Sequence, residues 1–139
     1  MNLLRKWLKR EPAHLAAGVW GEQQAERFLC KRGFTLVGRR IRVGRDELDL
    51  VMRKGPVLVF VEVKTRGGDA FGRPFDAVDR AKQLHLSRAA VRYLMNARIK
   101  PEYIRFDVVE VIGAPDGEPP RIEHIENAFP LSSRYRLPW

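Results

Sequence analysis

The stretch Val57–Arg66, V-L-V-F-V-E-V-K-T-R, decides how the rest of the chain is interpreted. It begins as a run of β-branched and aromatic residues, which is typical of a buried strand. Because side chains alternate across a strand, Glu62 and Lys64 share the face of Phe60, and valines occupy the other face. A carboxylate and an ammonium at the end of a core strand are costly to desolvate unless other groups compensate. The stretch therefore indicates either a Glu–Lys pair at the solvated rim of a sheet or a functional site.

The segment before it supplies another carboxylate at the same level. Residues 46–53, D-E-L-D-L-V-M-R, also have a strand pattern, and the Gly-Pro pair that follows is a hairpin signal. A two- or four-residue loop places Asp49 opposite Glu62, with Cβ atoms roughly 4.5–5.5 Å apart, whereas a three-residue loop without a bulge separates them. Two carboxylates this close repel each other unless a cation lies between them, and oxygen ligands suit Mg²⁺ or Mn²⁺. Asp49, Glu62 and Lys64 therefore predict a divalent-metal site with an ammonium beside it.

The composition favours one basic domain with a polyanionic partner. The chain has 139 residues, with 26 Lys and Arg against 17 Asp and Glu, and a net charge of +9. This balance favours nucleic acid, although ribosomal and membrane-surface proteins share it. The single cysteine, Cys30, excludes an internal disulfide and a cysteine-based zinc cluster, and it fits a reducing compartment. Since no apolar run reaches membrane-spanning length, we expect a cytoplasmic protein without a membrane partner.

The element order predicts an α/β fold. Helical spacing places a first helix at about residues 16–32, with Ala25, Phe28 and Leu29 buried and Cys30 partly buried beside them. The other elements are strands at 34–41, 46–53, 57–66 and 104–112, an edge strand at 121–126, and a second helix at 75–98. The order α-β-β-β-α-β-β implies a mixed sheet flanked by helices. We divide the chain into a basic lead-in (1–17), a single α/β domain (18–127) and a C-terminal tail (128–139).

The second helix has an apolar stripe and a basic flank. The predicted buried stripe consists of Ala77, Ala81, Leu84, Val91 and Met95. A basic flank beside a metal site would follow a nucleic-acid backbone, although solubility alone explains most of these charges.

Two acidic residues outside the second helix each have two possible roles. Glu22 either leans toward the packing face of the first helix or is an exposed first-turn glutamate, and Asp107 either supports the metal site or pairs with an arginine such as Arg105.

Four separated motifs and the single residue Lys82 resemble the bacterial YraN family. The matching segments, over roughly residues 18–112, are Gly21-Glu22, Glu47-Leu48-Asp49-Leu50, Phe60–Arg66, Lys82 and Arg105–Val109. That family is similar to Holliday junction resolvases and to the restriction-endonuclease-like PD-(D/E)xK nucleases. The resemblance implies a restriction-endonuclease-like fold in which Glu22, Asp49, Glu62 and Lys64 are catalytic, and Asp49, Glu62 and Glu22 hold the metal. Two positions depart from the family pattern, because Asp46 replaces a usual Gly and Arg40 replaces a usual Asn.

The predicted function is a metal-dependent endonuclease. With Mg²⁺ or Mn²⁺ it would hydrolyse phosphodiester bonds in branched or structured DNA and, by the resemblance, leave a 5′-phosphate and act as a homodimer. Lys64 would orient or deprotonate the attacking water, or stabilise the transition state. The residues predicted to contact nucleic acid are Arg39, Arg40, Arg42, Arg66, Arg73 and Lys82. The alternatives are a non-catalytic nucleic-acid-binding module that keeps the nuclease fold, and a basic structural or assembly factor whose carboxylates pair with arginines.

Overall fold

The computed structural model describes residues 13–67 and 78–139, with side chains from residue 16 onward. Within these ranges the elements are α1 (Ala13–Lys31), β1 (Thr35–Val43), β2 (Asp46–Lys54), β3 (Val57–Arg66), α2 (Arg80–Ala97), β4 (Tyr103–Ile112) and β5 (Arg121–Phe129). The predicted order α-β-β-β-α-β-β is therefore confirmed. Neither α1 nor α2 has the length and hydrophobicity of a transmembrane segment.

The five strands form one mixed sheet in the order β1-β2-β3-β4-β5. Strands β3 and β4 are parallel, and the other three neighbouring pairs are antiparallel. A parallel pair requires a crossover connection, and the connection between these two strands contains α2. The predicted mixed sheet flanked by helices is confirmed, and β5 lies at an edge as expected.

The hairpin between β2 and β3 sets the register on which the candidate site depends. Lys54 pairs with Val57, so the loop consists of Gly55 and Pro56 alone. Gly55 has a φ of 58°, a left-handed conformation that glycine adopts without steric cost. The two-residue loop is one of the two lengths that bring Asp49 and Glu62 to the same level of the sheet.

Each face of the sheet is covered by one helix and has its own apolar core. On one face, Ala25 and Leu29 of α1 pack with Val59 and Val61 of β3 and with other fully buried side chains. On the other face, α2 covers a cluster centred on Phe60, which also includes aromatic residues of β4 and β5. Burying a large apolar side chain contributes about 1.5–3 kcal/mol, so β3, buried on both faces, anchors the sheet.

The buried face of α2 differs from the predicted stripe. Its buried residues are Leu86, Ser87, Ala89, Ala90, Val91 and Leu94. Of the predicted stripe, Val91 is buried and Leu84 partly so, but Ala81 is exposed and the side chain of Met95 is 58% exposed. Ala77 lies outside the described residues. The predicted stripe was placed on the wrong side of the helix, because the buried face contains Leu86 and Leu94 together with the small residues Ser87, Ala89 and Ala90.

The prediction for the single cysteine, in α1, also has an outcome. Cys30 is exposed, so the expected partial burial of its thiol is wrong. It follows the fully buried Leu29, and a step of one residue turns a helical side chain by about 100°. In the C-terminal segment, Leu131 and Leu137 pack against the core on the α2 side.

Helix α1 approaches β3 most closely at Gly21. A Cβ atom built on Gly21 would lie 1.9 Å from Oγ1 of Thr65 and 3.0 Å from its Cβ. Only glycine therefore fits at this contact. The contact also fixes the position of the next residue, Glu22, relative to the strands.

We expect Gly21→Ala to destabilise the protein by about 1–3 kcal/mol, because the helix must move away from Thr65 to accommodate the methyl group. Gly18→Ala is the matched control in the same helix, since a Cβ there meets nothing within 4 Å. That control should be neutral or stabilise by up to about 1 kcal/mol through helix propensity. Urea unfolding of both variants measures the difference, and equal effects would show that the close contact is unimportant.

Candidate metal centre

Asp49 lies where regular pairing between β2 and β3 ends. The last paired residues are Leu50 and Val61, and the next residue on each strand is Asp49 and Glu62, respectively. The backbone N–H of Val63 donates a hydrogen bond of 2.9 Å to Oδ2 of Asp49. This bond fixes the carboxylate beside β3, so the structure brings Asp49 and Glu62 together.

The carboxylate of Asp49 opposes ionisation of the neighbouring Glu62. Burial raises the pKa of Asp49, and the hydrogen bond from Val63 acts in the opposite direction. Burial, followed by repulsion from Asp49, raises the pKa of Glu62 to about 7. Lys82 counteracts part of this repulsion, because its Nζ lies 3.5 Å from Oε1 of Glu62. The other oxygen, Oε2, is buried without a hydrogen-bond partner among the described residues. An added cation would reduce the repulsion between the two carboxylates and would give Oε2 of Glu62 a partner.

Asp49 also belongs to a cluster of three carboxylates. One oxygen from each of Glu22, Glu47 and Asp49 lies within 4.8 Å of the other two. Helix α1 contributes Glu22, and β2 contributes the other two residues. Burial raises the pKa of Glu22, with repulsion from Asp49 as the second cause, whereas Arg40 acts in the opposite direction. The cluster concentrates negative charge where a helix meets two strands.

Glu47 is absent from the ligands predicted from the sequence. Its side chain is 46% exposed, which is ordinary for a glutamate at the surface. A usable signal was nevertheless present, because residues two apart on a strand lie on the same face and Glu47 precedes Asp49 by two.

The donor set fits a hard divalent cation. Glu22, Glu47 and Asp49 offer only carboxylate oxygens, which suit Mg²⁺ or Mn²⁺, and Mg²⁺ keeps several water ligands in such sites. Glu62 lies outside this group of three and is adjacent to Asp49. Of the predicted ligands, Glu22 comes from α1, whereas Glu62 contacts Lys82 of α2, so the two approach Asp49 from opposite faces of the sheet. Glu47 completes the group that contains Glu22.

Lys64 and Arg66 follow Glu62 along β3. Lys64 is partly buried and lies level with Glu110 in the parallel register of β3 and β4. Arg66 forms an ion pair with Glu110, with Nε and Oε1 3.1 Å apart, and Glu110 is only 4% exposed. The predicted nucleic-acid contact at Arg66 is thus engaged with a buried carboxylate of the fold.

The other predicted phosphate contacts that the structure describes also have acidic neighbours. The pairs are Arg39 with Glu26, Arg40 with Glu22, Arg42 with Glu47, and Lys82 with Glu62. Arg73 lies outside the described residues. The side chains of Arg39 and Arg42 are 62% and 75% exposed. Exposed ion pairs contribute at most about 1 kcal/mol, so a phosphate could replace their carboxylate partners.

Asp46 and Asp107 have structural partners. Arg88 of α2 donates two hydrogen bonds of 2.8 Å to Asp46, which ties the start of β2 to that helix. Asp107 accepts hydrogen bonds from Arg105 and from the ring of His124. By alternation along β4 it shares the face of Val109 and Val111, which belong to the α1-side core, whereas Glu62 shares the opposite face with Phe60. Of the two alternatives for Asp107, the structure shows the arginine pair.

Sequence comparisons agree with the motifs. The sequence model of the uncharacterised protein family UPF0102 matches residues 21–111. A UPF0102 protein of Symbiobacterium thermophilum is 47% identical over 112 residues, covering 81% of this chain and 94% of the relative. A UPF0102 protein of Frankia alni is 44% identical over 114 residues, covering 82% and 94%. One of Dictyoglomus turgidum is 39% identical over 112 residues, covering 81% and 95%.

Proposed function

The chain belongs to the uncharacterised protein family UPF0102, the YraN family that its motifs resemble, and from this premise we propose that it is a Mg²⁺- or Mn²⁺-dependent endonuclease acting on branched or structured DNA. The observation that carries the proposal is the cluster of Glu22, Glu47 and Asp49 beside the partly buried carboxyl group of Glu62, whose ionisation Asp49 opposes. Such mutual repulsion costs stability, so a bound cation is the simplest reason to retain it.

The residues of the site divide the chemistry between them. A divalent ion bound there would neutralise charge developing on the phosphate and lower the pKa of a coordinated water. Glu22, Glu47 and Asp49 would hold that ion. Glu62 would accept a proton or hold a water on the other side of Asp49. Lys64, on the same face of β3 as Glu62, would orient the attacking water or stabilise the phosphorane.

The surface charge supports DNA as the substrate. The net charge of +9 attracts a polyanion, and the exposed arginines of β1 lie next to the candidate site. Contacts of this kind release counterions, so binding should weaken steeply as the salt concentration rises. The proposal includes a cytoplasmic location, which the DNA substrate and the lone cysteine support.

The test is cleavage of a four-way DNA junction and a linear duplex by the purified chain. We expect hydrolysis with Mg²⁺ or Mn²⁺ and none with EDTA. Asp49→Asn should lower the rate about 100-fold or more, because several kcal/mol of barrier reduction depend on the metal. Glu118→Gln, in the exposed turn between β4 and β5, is the control and should keep full activity.

Two results would contradict the proposal. DNA binding without cleavage in either metal would favour the non-catalytic nucleic-acid-binding module. Cleavage that survives Asp49→Asn would come from a contaminating nuclease and would remove the evidence for this site.

A further inference from the structure

Arg40 interrupts the regular geometry of β1. The residues on either side of it, Arg39 and Ile41, pair with Leu50 and Leu48, so Arg40 lies level with Asp49. Its φ is 48°, in the left-handed region that bulky side chains rarely adopt. Strained backbone of this kind persists where the surrounding structure enforces it, often at functional sites.

The left-handed conformation explains why two consecutive arginines reach the same helix. Successive side chains of a regular strand point to opposite faces. Here Arg39 donates hydrogen bonds to Glu26, and Arg40 donates one of 3.1 Å from Nε to Oε2 of Glu22. Since Glu22 and Glu26 are one helical turn apart, the irregular backbone at Arg40 directs its guanidinium onto the carboxylate cluster.

The pair with Glu22 has features of an exchangeable contact. The side chain of Glu22 is 13% exposed, whereas that of Arg40 is 46% exposed and can be reached from solvent. Arg40 supplies one hydrogen bond to a carboxylate that belongs to the metal cluster. A metal ion and this guanidinium therefore compete for the carboxylate of Glu22.

We propose that Arg40 is an exchangeable counter-ion, which neutralises Glu22 in the metal-free protein and moves to a DNA phosphate when a metal ion binds Glu22. This inference rests on the proposed function and assigns Arg40 a positioning role within it. It predicts that metal and DNA assist each other, because a phosphate that engages Arg40 releases Glu22 for the metal. Linkage requires the effect to be equal in both directions.

The experiment compares Mn²⁺ affinities by titration calorimetry, with and without a four-way DNA junction, at constant ionic strength. All proteins carry Lys64→Met to prevent hydrolysis. With native Arg40, DNA should tighten Mn²⁺ binding about five-fold or more. Arg40→Asn should bind Mn²⁺ about five-fold or more tightly without DNA, and DNA should then increase the affinity for Mn²⁺ by a smaller factor than it does with native Arg40.

Arg39→Asn is the matched control, because it removes the same charge from the neighbouring residue. The partner of Arg39 is Glu26, a carboxylate outside the cluster. The control should leave the coupling between Mn²⁺ and DNA in place. Arg40→Gly serves as a second variant, since both Asn and Gly accept a left-handed backbone and should fold at least as well as arginine. Thermal unfolding verifies this.

The outcomes separate this inference from the proposed function. If Mn²⁺ binds but Arg40→Asn and Arg39→Asn behave alike, the role of Arg40 is refuted and the metal site stands. If no protein binds Mn²⁺, the metal site and the counter-ion fail together.

Discussion

Glu62→Gln should nearly abolish DNA cleavage and at the same time stabilise the metal-free protein. Cleavage should fall about 100-fold or more, because the variant removes a charge beside the metal cluster. A residue needed only for folding would not combine loss of activity with a gain in stability. The opposite signs therefore make this variant informative about the site.

The stability gain follows from the direction of the pKa shift. The pKa of Glu62 rises from an ordinary value of 4.5 to about 7 in the folded protein, chiefly through burial and then through repulsion from Asp49. At pH values between these two pKa values, the folded state binds more protons than the unfolded state, so the free energy of unfolding falls as the pH rises. The full shift corresponds to about 3 kcal/mol. Since the amide also loses the contact with Lys82, we expect a net gain of about 1–2 kcal/mol at pH 8 and little at pH 4.

Urea unfolding in EDTA at these two pH values measures the gain, with Glu118→Gln as the control. Adding Mn²⁺ should stabilise the unaltered protein more at pH 8 than at pH 5, because the cation relieves repulsion between ionised carboxylates. A loss of stability at pH 8 in Glu62→Gln would instead identify Glu62 as a structural partner of Lys82. The assembly-factor alternative would then be favoured.

Asp107→Ala should have the largest effect on folding, a loss of about 3–5 kcal/mol. Asp107 is fully buried and accepts hydrogen bonds from three groups. The donors are Nε and Nη2 of Arg105 at 2.7 and 2.9 Å, Nε2 of His124 at 2.8 Å and the backbone N–H of Asn127 at 3.0 Å. Removing the carboxylate leaves buried donors without an acceptor, which costs more than the pairing itself contributes.

The pH dependence of this contribution is opposite to that of Glu62. Burial alone would raise the pKa of Asp107, but hydrogen bonds from His124, Arg105 and Asn127 outweigh it and lower the pKa below 3.8. The stabilisation is therefore complete at pH values above the pKa of Asp107 in the unfolded state. It is lost as the pH falls through the lower pKa of Asp107 in the folded state. Urea unfolding at pH 7 measures the effect. Asp116→Ala, in an exposed turn, is the control, and a loss below about 1 kcal/mol in Asp107→Ala would refute the buried network.

Alternation and turn chemistry were sufficient to predict the centre of the fold. The continuous apolar run before Glu62 marks a strand buried on both faces, and the Gly-Pro turn limits the register to a few choices. With a two- or four-residue loop, those two features place Asp49 beside Glu62 without any long-range information. The position of Glu22 was harder to predict, because it depends on the close contact between Gly21 and Thr65, which no local pattern reveals.

The features that were missed depend on tertiary contacts. The buried face of α2 includes Ser87, whose hydroxyl accepts a hydrogen bond from the backbone N–H of Ser132 in the distant C-terminal segment. His124 joins Asp107 across two strands, a pairing that sequence spacing does not indicate. Arg40 stands where the resembled family usually has Asn, a residue that adopts the left-handed conformation more readily. Its strained backbone could be recognised only from coordinates.

The exposed thiol of Cys30 is a labelling site from which the distance to the metal centre can be measured. It is the single cysteine of the chain, and it lies eight residues after Glu22 on the same helix, a rise of about 12 Å along the axis. A nitroxide attached there would sense a paramagnetic ion through its shortened electron-spin relaxation. Such a label would locate bound Mn²⁺ relative to α1 without altering any residue of the acidic cluster.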